Sequence, residues 1–414
     1  MKMAAVILAG GRGKRMDVLC HVRPKPAIEF AGGFKVIDFS LSNCVHSGIE
    51  TIFALTDYQR VQMANYLNRW KANNASDITL RILEPSRGPY LGTADAVYQN
   101  LQQLDQLDAE AILILAGDHI YKMDYRKMLR FHEEQKAEAT VGIVRIPFDQ
   151  AFRFGTVKIG PDKRIQYFIE KSPFPDENTA SMGIYIFSKS ILREYLVKDA
   201  QNPESSHDFG YSILPEMVKK NRVYAYEFES YWQDIGTKDA YYAANMELIR
   251  EEPSFTLNSH WHVLTDAREW PPVTKVSHGS GHISNSLIAK DCVIKGRVEN
   301  SVLSPGVSID DNVIVRDSII MSNVTVGAHG IVDRCIIDEN AKIGEYCFLG
   351  FGPSVAPAEW DITVIGKDSI IPAHTAVGRN CQILPGVKPT DFTSTIIHPG
   401  SVVTHSSRKL SVSV

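Results

Sequence analysis

From His282 onward the chain repeats with a period of six, and few folds accept such a step. Val307, Val313 and Ile319 stand six apart, as do Ile320, Val326 and Val332, then Ile337, Ile343 and Leu349. The longest run is Ile365, Ile371, Val377 and Ile383, with small or polar residues between, often as Ile343-Gly344-Glu345 or Ile365-Gly366-Lys367. An amphipathic helix needs spacing near 3.6 residues, which is absent. One inward aliphatic every six residues fits the flat faces of a triangular parallel β-helix, where each coil stacks on its neighbour. An ordinary β-sandwich with coincidental spacing is the competing arrangement. The tail from about Ser406 is polar and expected to be loosely held.

Upstream, residues 1–250 alternate strand-like and helix-like segments. Ala5-Val6-Ile7-Leu8, Thr51-Ile52-Phe53-Ala54-Leu55, Ala111-Ile112-Leu113-Ile114-Leu115 and Ala139-Thr140-Val141-Gly142-Ile143 have lengths suited to buried parallel strands. Amphipathic stretches such as Tyr58 to Ala72 and Ala94 to Leu104 lie between them. This alternation predicts a doubly wound, mostly parallel α/β sheet, with ligands beyond the carboxyl ends of the strands. Residues 251–280, with Pro253, Pro271, Pro272 and the run Ser277-His278-Gly279-Ser280-Gly281, read as a linker. That leaves 281–414 to the hexapeptide repeat.

Composition narrows the partners. Lys and Arg number 44 against 48 Asp and Glu, so the formal charge is −4, without the basic excess a nucleic-acid binder uses to release phosphate counterions. No apolar stretch reaches the roughly 20 residues that span a bilayer. Neither a nucleic acid nor a membrane is expected. The first residues, MKMAAVILAGGRGKRM, begin like a signal peptide, but the apolar run ends in a glycine-rich turn and reads as a buried strand. Cys20, Cys44, Cys292, Cys335, Cys347 and Cys381 show no C-x-x-C spacing, pointing to neither zinc nor disulfides and to a reducing cytoplasm.

Each chemistry-bearing motif follows a predicted strand. Leu8-Ala9-Gly10-Gly11-Arg12-Gly13-Lys14-Arg15 is a glycine-rich turn whose amides and cations suit a phosphate, although it is neither a P-loop nor G-x-G-x-x-G and could be a plain tight turn. In Arg23-Pro24-Lys25-Pro26-Ala27 the prolines stiffen the backbone around a lysine, as a cation facing developing charge requires; a surface loop lysine is the alternative. Asp118, in Ala116-Gly117-Asp118-His119, and Asp234, in Trp232-Gln233-Asp234-Ile235-Gly236-Thr237, are carboxylates of the kind Mg²⁺ prefers beside phosphate oxygens, or else helix N-caps. Glu170-Lys171 could bind the hydroxyls and phosphate of a small anionic substrate, or be a solvated pair, and Gly92-Thr93 open a helix near whose start a nucleotide could lie. No G-x-S-x-G or H-E-x-x-H occurs, and the 13 histidines show no ligand spacing and read as structural or solvent-exposed.

Together these segments resemble the bacterial glucose-1-phosphate adenylyltransferases (ADP-glucose pyrophosphorylases), within the wider sugar nucleotidyltransferases. The matching residues are LAGGRG at Leu8–Gly13, RPKPA at Arg23–Ala27, IDFSLSNC at Ile37–Cys44 with Ser47-Gly48-Ile49, and GTADAV at Gly92–Val97. AGDHIY at Ala116–Tyr121, IEKSP at Ile169–Pro173, ASMGIYIF at Ala180–Phe187, SSHDFG at Ser205–Gly210 and YWQDIGT at Tyr231–Thr237 follow in the family's order. The resemblance covers essentially the whole chain. It implies a nucleotidyltransferase catalytic domain over 1–250, a left-handed β-helix over 281–414, and formation of ADP-glucose and pyrophosphate from ATP and α-D-glucose 1-phosphate for glycogen or α-glucan synthesis.

Carried over by motif, Arg15 and Lys25 would stabilise the triphosphate and its transition state, and Asp118 and Asp234 would hold Mg²⁺. Lys171 would bind the sugar phosphate, with Glu170 and Ser181 on the sugar and Tyr90 and Gly155 lining its pocket. Leu8, Gly10, Gly11, Gly13, Gly92 and Thr93 would face the nucleotide. A cytoplasmic homotetramer under allosteric control is also implied. The chain departs from the family at Gly13-Lys14-Arg15-Met16, at Val18-Leu19-Cys20, at Pro89-Tyr90, and at Val22, where a lysine linked to sugar-phosphate activators is common. These departures predict weakened regulation or a different effector. A related enzyme using another nucleotide, or a non-catalytic regulatory subunit, are the alternatives, the second opposed by the presence of Arg15, Lys25, Asp118 and Asp234.

Overall fold

The computed structural model describes residues 1–74, 77–257, 260–266, 273–278, 282–353 and 361–405. Of the segment read as a linker, 258–259, 267–272 and 279–280 lie outside the described residues, as do Gly281 and the polar tail from Ser406. No helix among the described residues is long and apolar enough to cross a membrane. Compactness divides the chain into two units that do not follow chain order: Met1–Gly11 with Ile37–Trp232, and Arg12–Val36 with Gln233–Val414.

The first unit is built on a mixed nine-stranded sheet. Thr79–Leu83, Thr51–Leu55, Met3–Leu8 and Ala111–Ala116 run parallel, in that spatial order. Ala111 to Leu115 are each 0 % exposed, as a strand covered on both faces must be. The crossover helix Arg60–Asn74 buries Met63, Tyr66, Leu67 and Trp70, one stripe at helical spacing. The predicted doubly wound sheet is present. Its middle is less parallel than the strand–helix alternation suggests, because Thr179–Ser188 runs antiparallel between Ala111–Ala116 and Ala139–Arg145. At ten residues it spans both neighbours. Gly155–Ile159 and Ile165–Glu170 extend the sheet antiparallel beyond it, and Val223–Glu227 pairs parallel with Ala139–Arg145.

The second unit is dominated by the left-handed parallel β-helix. Strand pairs step from Val302 to Ile319 to Ile336 on one face, from Ile309 to Val326 to Ile343 on the next, and from Val315 to Val332 to Leu349 on the third. Ile320, Val326, Val332, Ile337, Ile343, Leu349, Ile365, Ile371, Val377 and Ile383 all point into one core, as their spacing predicts. The period is not uniformly six: Val315 to Ile320 and Val332 to Ile337 are five-residue steps. Ile319 therefore drops out of the inward series, and its neighbour Ile320 replaces it. Corners carry left-handed residues at matching intervals, Gly306, Asn312, Asp317, Asn323, His329, Arg334, Asn340 and Tyr346 among them, mostly the types that tolerate that conformation. Within the segment read as a linker, Val273–His278 pairs antiparallel with Ile283–Ala289. None of the six cysteines is in a disulfide.

Candidate active site

In the first unit, strand ends present the motifs. Leu8 O accepts the Gly117 amide at 3.1 Å and the Ala9 amide donates to Leu55 O at 2.8 Å, so the glycine-rich turn leaves from a fixed ledge next to the Gly117-Asp118 turn. Gly10 is a close approach, since a Cβ there would lie 3.0 Å from Asp57 Cβ, whereas Gly11 faces open space. His119 Nε2 stands 3.6 Å from Asp118 Oδ1. The His119 ring meets Trp232 edge-on with centroids 5.1 Å apart, and Trp232 meets Phe154 at 5.5 Å. The Trp232 indole nitrogen is a buried donor with no hydrogen-bond partner among the described residues.

Glu170 ends its strand in a slot formed by two glycines. A Cβ on Gly155 would come within 2.5 Å of Glu170 Oε2, and one on Gly210 within 2.4 Å. Lys171, in a left-handed turn with φ of 47°, returns its ammonium to Glu170 Oε1 at 3.1 Å and over the Tyr211 ring at 5.8 Å. Burial raises the Glu170 pKa, with Lys171 pulling against it; burial also works against the Lys171 charge, but Glu170 outweighs that and the lysine pKa rises. The pair sets an acceptor for hydroxyls beside a counter-charge for phosphate. Ser181 lies at a register shift beside Gly183 (φ 66°); its Oγ donates to Tyr185 Oη at 3.3 Å and accepts from the Gly183 amide at 3.3 Å. Tyr185 is buried, which raises its pKa.

The start of the Thr93–Tyr98 helix is clasped by the Ser205–Gly210 segment. Ala94 and Asp95 amides donate to His207 O at 2.9 and 3.2 Å, the Thr93 hydroxyl donates to Asp208 Oδ2 at 2.8 Å, and a Cβ on Gly92 would strike His207 O at 2.3 Å. Those helix-terminal donors are thus committed within the chain. Tyr90 Oη accepts from Asn100 Nδ2 at 2.9 Å, and burial pushes its pKa up to about 12.

The second unit gathers the cations. Gly13, with φ of 59°, turns the chain so that a Cβ would lie 2.6 Å from Cys20 Sγ and 3.1 Å from Lys25 Cβ. Lys25, buried on a tight turn over Lys25–Ala27, donates to Asp234 Oδ1 at 3.1 Å. Gly236 leaves room for both neighbours: a Cβ there would meet Asp234 Oδ2 at 2.6 Å and an Arg15 guanidinium nitrogen at 3.3 Å. Gly13, Arg15, Lys25, Asp234 and Gly236, spread over more than 220 residues of sequence, therefore form one cradle. Asp118 and His119 in the first unit, and Asp234 in the second, each carry a donor of the kind a divalent cation accepts. The motif reading passes over His119, Phe154, Asp208 and Trp232. Only adjacency to Asp118 and Asp234 in the sequence could have signalled His119 and Trp232.

Comparison with known proteins agrees with these motifs. The nucleotidyl transferase family matches residues 4–251, and the GlmU-like C-terminal hexapeptide family matches residues 271–366. A glucose-1-phosphate adenylyltransferase of Acetivibrio thermocellus is 38% identical over 411 residues, covering 95% of each chain. One from Desulforamulus reducens is 39% identical, covering 92% of this chain and 97% of its own, and one from Bacillus cereus is 43% identical, covering 83% and 93%. With likeness of this depth over nearly its full length, the chain belongs to the glucose-1-phosphate adenylyltransferases, a family of nucleotidyltransferases.

Proposed function

We propose that this protein transfers the adenylyl group of ATP to α-D-glucose 1-phosphate, releasing pyrophosphate. A phosphate oxygen of the sugar phosphate attacks the α-phosphorus, the bond to the β-phosphate breaks, and its electron pair leaves with pyrophosphate. The nucleophile is already an anion, so no general base is required; the task is in-line positioning and neutralisation of charge. The cradle of Arg15, Lys25 and Asp234 carries this reading, because two cations fixed between glycines suit a triphosphate. Leu8, Gly10, Gly11, Gly13, Gly92 and Thr93 line the nucleotide. Lys171 holds the sugar phosphate, with Glu170, Ser181, Gly155 and Tyr90 on the glucose side.

Mg²⁺ is the cation whose preference for carboxylate and phosphate oxygens matches Asp118 and Asp234, and when bound it supplies charge neutralisation at the phosphates. The remaining chemistry rests on side chains: Lys25 and Arg15 face the phosphates, and the Lys25–Asp234 pair fixes the orientation of both partners. A cytoplasmic homotetramer feeding glycogen or another α-glucan completes the reading.

Pyrophosphate release, measured with glucose 1-phosphate, Mg²⁺ and each of ATP, UTP, dTTP and GTP, tests it. A clear preference for ATP is expected; preference for another nucleotide overturns the base assignment, and no turnover by folded protein favours a regulatory subunit. Gly210→Ala bears on the sugar site, because its Cβ would displace Glu170. The variant is expected to raise the KM for glucose 1-phosphate by about tenfold, the order of one lost polar contact, with little change in the KM for ATP. Equal changes in both constants would contradict the placement of Glu170 on the sugar.

A further inference from the structure

We infer that the β-helix is a positioning element of the catalytic machinery: Asp338, acting through Arg23, and Asn380, acting through Lys238, hold Lys25 and Asp234 in register with each other. This rests on the proposed adenylyl transfer. The division into compact units already places Arg12–Val36 and the segment from Gln233 with the β-helix. Individual contacts show how. Arg23 Nη2 donates to Asp338 Oδ1 at 2.7 Å, and the two side chains are 1% and 0% exposed. Pro24 alone separates Arg23 from Lys25, with φ of −72° and ψ of 150°, so displacement at Arg23 passes along a stiff link to the lysine.

The far side of the loop is tied to the same coils. Glu29 accepts from the Ser322 amide at 2.9 Å and its hydroxyl at 2.7 Å, and Lys35 lies 3.5 Å from Glu339. Asp234 is held in parallel: four residues on, Lys238 donates to Asn380 Oδ1 at 2.8 Å and to Ile362 O at 3.3 Å. Tyr241, on the helix that Lys238 opens, donates to Glu29 O at 2.6 Å and closes the circuit between the two arms.

A buried ion pair is a poor device for stability alone, because apolar side chains of similar volume do as well, whereas it fixes one geometry. Among the described residues, Arg23 Nε and Asp338 Oδ2 have no hydrogen-bond partner, which fits a pair placed for direction rather than for saturation.

The test uses the full chain with Asp338→Asn, Asn380→Gly (glycine accepts the left-handed φ of 54° at that position) and Arg23→Met/Asp338→Leu, which refills the site with apolar side chains. Each is expected to lower kcat by roughly 10- to 100-fold, as small misplacements of catalytic groups do, while the KM for glucose 1-phosphate stays within about twofold. Adding Asp338→Asn to Lys25→Ala is expected to cause no further loss; losses that multiply would mean that Asp338 is merely structural and would overturn the inference. Amide exchange over residues 25–30 is expected to quicken in Asp338→Asn while residues 153–186 are unchanged, and unaltered exchange at 25–30 overturns the anchoring. Exchange needs no turnover, so it decides the anchoring even if the wild-type protein forms no ADP-glucose, the result that would sink the functional reading instead.

Discussion

Asp234→Asn is expected to lower turnover by about three orders of magnitude while the chain stays folded and still binds glucose 1-phosphate, because the loss is of transition-state charge handling. Two consequences of the same substitution add. The carboxylate proposed to hold Mg²⁺ becomes a neutral amide, and Lys25 loses the anionic partner 3.1 Å away that fixes its ammonium. Lys25 is buried and hemmed by Gly13 and two prolines, so its freed side chain has few alternative positions from which to serve the phosphates. Glu170, Lys171 and Ser181 are untouched, which is why sugar-phosphate binding should survive. Pyrophosphate release and isothermal titration with glucose 1-phosphate check the two halves of the statement. Turnover above about a tenth of the wild-type rate would remove Asp234 from the catalytic set.

Asp338→Ala is the substitution expected to cost most in stability, about 3 kcal/mol, because it removes the buried Arg23 guanidinium's partner at 2.7 Å and leaves only Glu339, at 3.7 Å, as a nearby counter-charge. The urea midpoint measures it, and Arg23→Met/Asp338→Leu should recover most of the loss. The isosteric Asp338→Asn adds a pH signature. Burial pushes the Asp338 carboxyl up to about 6, against the opposing pull of Arg23. A carboxyl whose pKa rises on folding contributes stability that is present below its unfolded value near 3.8 and is lost as pH rises through its folded value. The stability of Asp338→Asn relative to wild type should therefore improve between pH 4 and pH 6. A constant difference across that interval would show that the carboxyl titrates normally.

How far the molecule can be read in advance varies by element. The β-helix was legible because a solenoid needs one aliphatic per side and the chain supplies it from Ile320 to Ile383. The five-residue sides were harder to see, since Ile319 and Ile320 are both apolar and only the strand register tells which one points inward. In the first unit the parallel strands were legible from their unbroken apolar runs. The antiparallel insertion of Thr179–Ser188 was not, because period and apolarity carry no strand direction. Among candidate site residues, Glu170 and Lys171 were visible as charged groups at a strand end, Lys25 as a lysine between two prolines, and Asp234 as a carboxylate suited to Mg²⁺. Trp232 was not, since an indole donor looks the same in sequence whether or not it has a partner.

The amino-acid sequence by itself determined the kinds of element, the repeat and the motifs, since hydrophobic period, proline and glycine act over a few neighbouring residues. Tertiary structure decided the company those motifs keep. Arg23 and Asp338 stand 315 residues apart, and nothing local in either segment announces the other. Their pairing arises because the Arg12–Val36 segment packs with the coils of the β-helix rather than with the sheet on either side of it in the chain. A buried guanidinium takes whichever carboxylate the packing brings, and the penalty for leaving either charge unpaired in a dry interior then locks that choice.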